Sequence, residues 1–218
     1  MTATAVAPPV APRVPAVRRV LLALAVAAFP VLQVTGMFLH APLGETGAEQ
    51  LAIVAQDPGR WFVQHVISAS AGALLILAAP ALAGLVRARG SALATTGAVL
   101  AVVGGAALTI AFGAEAHLLS QAADPSLDPA AMAALADLEP TSPVMLLIMA
   151  GLPLVGIGQL LLVAGLLRSR TVPWWAPTLV LVGLVGSFAS APGSLLGPVL
   201  LLPAVAGYLA LAVLVARG

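Results

Sequence analysis

Residues 61–86 read WFVQHVISASAGALLILAAPALAGLV, and the reading of this stretch decides the fold. No Asp, Glu, Lys or Arg interrupts it. It is longer than the roughly 20 residues a helix needs to cross the hydrocarbon of a bilayer. RARG, residues 87–90, turns the chain round, and residues 92–119 run back. His65 stands near the start of one arm, and Glu115 and His117 stand near the end of the other. If both arms cross a membrane, all three groups fall toward the same face.

Composition extends that reading to the whole chain. Apolar residues make up 61% and charged residues 8%, against roughly 45–50% and 25% in soluble domains. Cysteine is absent, which removes disulfides and thiolate metal sites. Every basic side chain is arginine, so no lysine is present to form a Schiff base. No basic, aromatic surface suggests nucleic acid.

Outward from the hairpin, the spacing predicts an all-α, polytopic membrane bundle of six transmembrane helices at about 20–39, 61–86, 92–119, 144–167, 172–191 and 195–216. Residues 18–218 form a single domain on this reading, behind a proline-rich tail over residues 1–17 that is expected to be disordered. Arg18 and Arg19 followed by an apolar run and AVAA imitate a signal peptide, but the run continues past AVAA, as a retained span would. Charge then orients the bundle. Arg13, Arg18, Arg19, Arg87, Arg89, Arg168, Arg170 and Arg217 fall on the side of the termini, and no acid accompanies them. Glu45, Glu49, Asp57, Asp124, Asp128, Asp137 and Glu139 occupy the opposite loops beside Arg60 alone. Arginine excess in short loops marks the cytoplasm, so both termini are expected there, in a multi-pass protein of the cell membrane.

The two outer loops carry helix signals. Thr46 and Glu49 have capping-box spacing ahead of QLAIVAQ, and Asp128-Pro129 reads as a cap with proline at the first helical position before AAMAALADL. These helices are expected on the outer membrane surface or as a lid. AGLVRAR (83–89) and AGLLRSR (164–170) hint at a duplicated hairpin, although the positive-inside rule alone would put arginines at both turns.

Polar residues at helical spacing mark a candidate site in the outer half. Gln33, Gly36, Met37 and His40 share a face of span one; Trp61, Gln64, His65, Ser68 and Gly72 share one on span two; Thr109, Gly113, His117 and Gln121 share one on span three. Such groups are costly in lipid and should face one another, leaving an outward-opening polar pocket between spans one to three. Glu115 and His117, two residues apart, point about 200° apart on a helix. The expectation is therefore that His65 and His117 converge while Glu115 turns toward span four or the surface. Met145 and Met149 are expected in the core.

Several chemistries suit these residues. The pocket could bind or move a small or lipophilic ligand through Gln33, Met37, His40, Gln64, His65, Ser68, Thr109, His117 and Gln121. A membrane-embedded enzyme acting on a lipid or isoprenoid, cyclase-like, would use Glu115 as general acid with His65 and His117 assisting. Copper, zinc or a single haem at His65 and His117 is a weaker possibility, since no ligand pair has diagnostic spacing. A structural or accessory subunit would need only the bilayer as partner. Oligomeric state leaves no mark on the sequence. The inner halves offer only Gln159 and a few hydroxyls, which argues against ion permeation. The series Pro58-Gly59-Arg60-Trp61, His65, Gly72-Ala-Leu-Leu and Leu85, after an amphipathic outer loop, resembles uncharacterised actinobacterial multi-span integral membrane proteins. That resemblance implies a membrane bundle and assigns no residue a role.

Overall fold

The computed structural model describes residues 15–188 and 194–217. Its elements are α1 (Ala16–Leu39), α2 (Gly47–Gln56), α3 (Pro58–Ala83), α4 (Ser91–Ala122), α5 (Pro129–Asp137), α6 (Pro143–Ser169), α7 (Trp175–Phe188) and α8 (Leu196–Arg217), with a 3₁₀ turn at Glu139–Thr141. Among the described residues there is no strand. Five helices, α1, α3, α4, α6 and α8, are long and apolar enough to cross a membrane. The sixth expected span is shorter. α7 covers 14 residues, about 21 Å of helix; of the expected stretch, residues 172–174 precede the helix and residues 189–191 lie outside the described residues. α1 also takes in Ala16 and Val17, which were expected in the tail, with Pro15 as its N-cap; the tail's residues 1–14 lie outside the described residues.

Small residues determine how these helices meet. α4 and α6 touch along a seam in which Gly90, Gly97 and Gly104 recur every seven residues opposite Gly151, Gly158 and Gly165, spaced likewise. A Cβ added at Gly97 would lie 2.5 Å from Leu162 N, and one at Gly158 would lie 2.5 Å from Ala101 N. The backbones are therefore in direct contact, and a heptad repeat keeps two helices together over their length. α3 meets α4 where Gly72 and Gly105 face each other, and α1 meets α3 where Gly36 fits against Ser68. α8 lies beside α1, with Phe29 and Tyr208 edge to face at 5.3 Å. α7 packs on α8 through Gly183 against Ala204. The Tyr208 hydroxyl donates to Gln159 Oε1 at 2.6 Å, tying α8 to α6 in the buried interior.

The turns sort by charge. Arg19 donates to the carbonyl of Arg217, and Thr171 donates to the carbonyl of Leu85. These bonds join the start of α1 to the end of α8, and the α6–α7 turn to the α3–α4 turn. One end of the bundle thus carries Arg18, Arg19, Arg87, Arg89, Arg168, Arg170 and Arg217. The opposite end carries α2 and α5. Both begin as their sequence signals require: Thr46 accepts from Glu49 N, and Asp128 accepts from Ala130 N. The Glu49 carboxylate reaches Glu45 N, one residue before the cap. α2 and α5 pack on each other, and Asp137 accepts from Gly47 N. α2 also packs on α3 and α4 at this end of the bundle.

Candidate functional site

Trp61 and His65 begin the site from one helix. Asp57 caps α3 by accepting from Arg60 N at 2.9 Å, so the first turns of that helix are fixed. One turn on, His65 Nδ1 meets the carbonyl of Trp61 at 2.9 Å. A carbonyl can only accept, so Nδ1 carries the proton and Nε2 is aimed away from its own helix. What it faces is Glu115: Nε2 and Oε2 are 3.5 Å apart. His65 is 1% exposed and Glu115 9%.

This reverses the expected pairing. Glu115 turns toward His65, and His117 is exposed on the other side of α4, as is Gln121. The reason lies in the packing stripe of α4. Ala101, Leu108, Glu115 and Ala122 follow at seven-residue steps, and Ala111 and Leu119 fill the same buried face. Glu115 continues the stripe that locks α4 into the bundle; the polar row Thr109, Gly113, His117 and Gln121 does not. Haem or metal ligation by His65 with His117 has no geometric basis, because the two point to different sides of α4. Among the described residues no three His, Cys, Asp or Glu side chains are grouped to hold a metal ion.

Rings surround the pair. Trp61 lies 4.3 Å from His65 between centroids, His40 lies 5.9 Å from His65 and 6.0 Å from Trp61, and Phe112 closes the far side at 6.1 Å. His40 ends α1, with its ring nitrogen on the Ala41 carbonyl. Burial pushes the His40 pKa below the usual histidine value, and neighbouring His65 adds to this; the Ala41 carbonyl and Glu115 act in the other direction. Above the rings, Leu51 and Val54 of α2, Leu119 and Ala122 of α4 and Ala136 of α5 form a second apolar core with Trp61. α2 and α5 thus cover the site at this end of the bundle.

The other expected residues divide. Gln64 is buried and its amide reaches Ser68 Oγ at 3.4 Å. Thr109 donates to the Gly105 carbonyl and lies against the Ala69 carbonyl, so it staples α4 to α3 beneath the site. Met37 packs on the main core, whereas Gln33 is half-buried with no hydrogen bond among the described residues. Met149, expected inside, is exposed. Gly113 has no atom within 4 Å of where a Cβ would stand, so it serves no close approach. The rings of His40, Trp61, His65 and Phe112 line the space between spans one to three where a pocket was expected. A cavity of about 120 Å³ lies higher, between the chain after α1, α2 and the start of α3, with Trp61 as one wall.

Three buried polar atoms near the site lack partners among the described residues: Trp61 Nε1, Gln64 Oε1 and Gln50 Nε2. Buried polar atoms are nearly always paired, so such a group calls for a reason. Chemically, the arrangement is an oriented imidazole–carboxyl pair in a water-poor, ring-lined site. Comparison with protein-family models, with curated proteins and with solved structures finds no match to this chain.

Proposed function

We propose that this integral membrane protein binds or moves a small or lipophilic ligand at the lidded centre formed by His40, Trp61, His65 and Glu115. The observation that carries the reading is the buried 3.5 Å contact between His65 and Glu115, beside the unpaired Gln64 Oε1. An acceptor left unsatisfied next to this pair suits a ligand that offers a donor. Intramembrane ionisable groups mark substrate or proton sites by default. The test is extraction of the purified protein: a small or lipophilic molecule should accompany wild type and be lost from His65→Ala and Glu115→Gln. Identical extracts from all three would remove the proposal.

An enzymatic reading draws on one further feature. The Trp61 carbonyl orients His65, and His65 in turn addresses Glu115, the base–orienter arrangement that acid–base catalysis uses. Glu115 would be the general acid on a lipid or isoprenoid, and His65 its partner. Product formation by wild-type membranes that survives in Glu115→Gln would reject that role.

The membrane reading sets the arginine-rich end in the cytoplasm and the lid outside the cell membrane. Because the chain has no cysteine, single cysteines report directly. A cysteine at Ala88 should resist a membrane-impermeant maleimide in intact cells, and one at Ser126 should react. The opposite pattern would invert the topology.

A further inference from the structure

The cavity beside Trp61 is lined on one side by Leu39, Ala41, Pro42, Ile53 and Val54, and on the other by Gln56, Asp57 and Arg60. Arg60 is the only basic residue among the acids of the outer loops. Its Nε donates to the Leu39 carbonyl at 3.0 Å, which anchors the side chain at the cavity. That bond uses one of the five guanidinium N–H groups. Among the described residues no carboxylate pairs with the rest. Asp57 uses Oδ1 to cap α3. Trp61 is 3% exposed and its indole N–H has no acceptor, although a buried indole N–H usually finds one. Exposed Phe38, Leu43 and Phe62 flank this part of the chain.

We propose that this cavity binds the zwitterionic phosphoethanolamine headgroup of an outer-leaflet lipid. The inference rests on the membrane reading above, which sets this end of the bundle at a lipid surface. The guanidinium fork matches phosphate oxygens, the indole N–H supplies a further donor, and the second carboxylate oxygen of Asp57 receives the ammonium. A lone anion fits less well, because Asp57 lines the same cavity. The acyl chain leaves along the apolar wall toward Phe38 and Phe62. This gives the unpaired Trp61 donor an acceptor and explains an arginine on a side of the membrane that otherwise carries acids.

The experiment uses Trp61 as reporter in full-length protein carrying Trp174→Phe and Trp175→Phe, two exposed residues at the opposite end. In maltoside micelles, lysophosphatidylethanolamine should change the emission saturably. Arg60→Gln should raise the midpoint at least tenfold. Asp57→Asn, which keeps a capping side chain, should also raise it, and Arg60→Lys should restore part of the affinity lost in Arg60→Gln. Circular dichroism of each variant confirms that it folds. An unchanged midpoint in Arg60→Gln, or an equal response to an uncharged monoacylglycerol, overturns the proposal. Soluble phosphoethanolamine binding as tightly as the lipid overturns the lipid source. The titration reads binding of a named lipid away from the His65–Glu115 contact, so its failure removes the headgroup site and leaves the ligand reading to its own extraction test.

Discussion

α4 is packed on two sides by opposite means. Toward α6 it presents glycine, alanine and Leu108, and the two backbones touch. Toward α3 it begins the same way, at Gly105 against Gly72, and then opens near its C-terminal end into Glu115 against His65. Lipid is as apolar as leucine, so no hydrophobic gain drives helices together in a membrane; close packing and interhelical polar contacts do. One seam relies wholly on the first. The other gives up close packing where it needs room for imidazole, indole and carboxyl groups. Rigidity lies on the α6 side, and chemistry on the α3 side.

The largest expected effect breaks the rigid seam. Gly158→Leu should abolish recovery of folded protein in detergent, because even a Cβ there would meet the Ala101 backbone at 2.5 Å. Gly158→Ala tests the same point more gently. Its gain in helix propensity, up to about 1 kcal/mol, is outweighed by overpacking of about 1–3 kcal/mol, so the net change is destabilising. The identical substitution at Gly113, where nothing lies within 4 Å, should be neutral or stabilising. Reversible unfolding in mixed micelles measures both. Equal effects at the two glycines would mean that the α4–α6 contact is looser than the structure has it.

That contrast also shows what could be read from the sequence. The all-helical, apolar class and the segregation of arginines from acids were legible because hydropathy and charge act residue by residue, without knowledge of neighbours. The helix starts at Thr46 and Asp128 were legible for the same reason, since caps are local. The orientation of α4 was not. Sorting by polarity selected Thr109, His117 and Gln121 as the inward row, yet the inward face is the one that fits, which runs through Gly97, Ala101, Gly104, Leu108, Ala111 and Glu115. In lipid the outward face need not be apolar at a helix end, where His117 and Gln121 are exposed. Reading seven-residue steps forward from Ala94 through Ala101 and Leu108 would have carried the inward face to Glu115. Gln50 escaped notice because its burial depends on α2 folding over the bundle, which no local pattern reveals.

A smaller effect is expected from the polar seam. Removing one partner of a buried pair leaves the other without a match, at about 1–3 kcal/mol. Glu115→Gln and His65→Ala should each destabilise, and the double variant should fall short of their sum. Groups in contact typically couple by about 0.5–3 kcal/mol. Strict additivity in that double-mutant cycle would mean that the 3.5 Å contact contributes nothing, and the site would reduce to helix packing.

The smallest effect concerns pH, and it isolates His40. Burial sets the His40 pKa of the folded protein below the ordinary value of 6.5, with His65 adding to the burial and the Ala41 carbonyl and Glu115 opposing it. The unfolded chain therefore takes up a proton on His40 at a pH where the folded chain still resists it. Stability rises with pH wherever the unfolded state holds more protons. The contribution is complete above 6.5 and is lost as pH falls from there toward the lower folded value. His65 and Glu115 face His40 from α3 and α4, so wild type alone would not separate the three. His40→Gln does: the variant should lose stability less steeply than wild type between about pH 7.5 and 5, with the two curves converging in slope above that range. Thermal unfolding at closely spaced pH values measures the difference. A variant slope as steep as wild type would mean that His40 does not set the acid sensitivity of this end of the bundle.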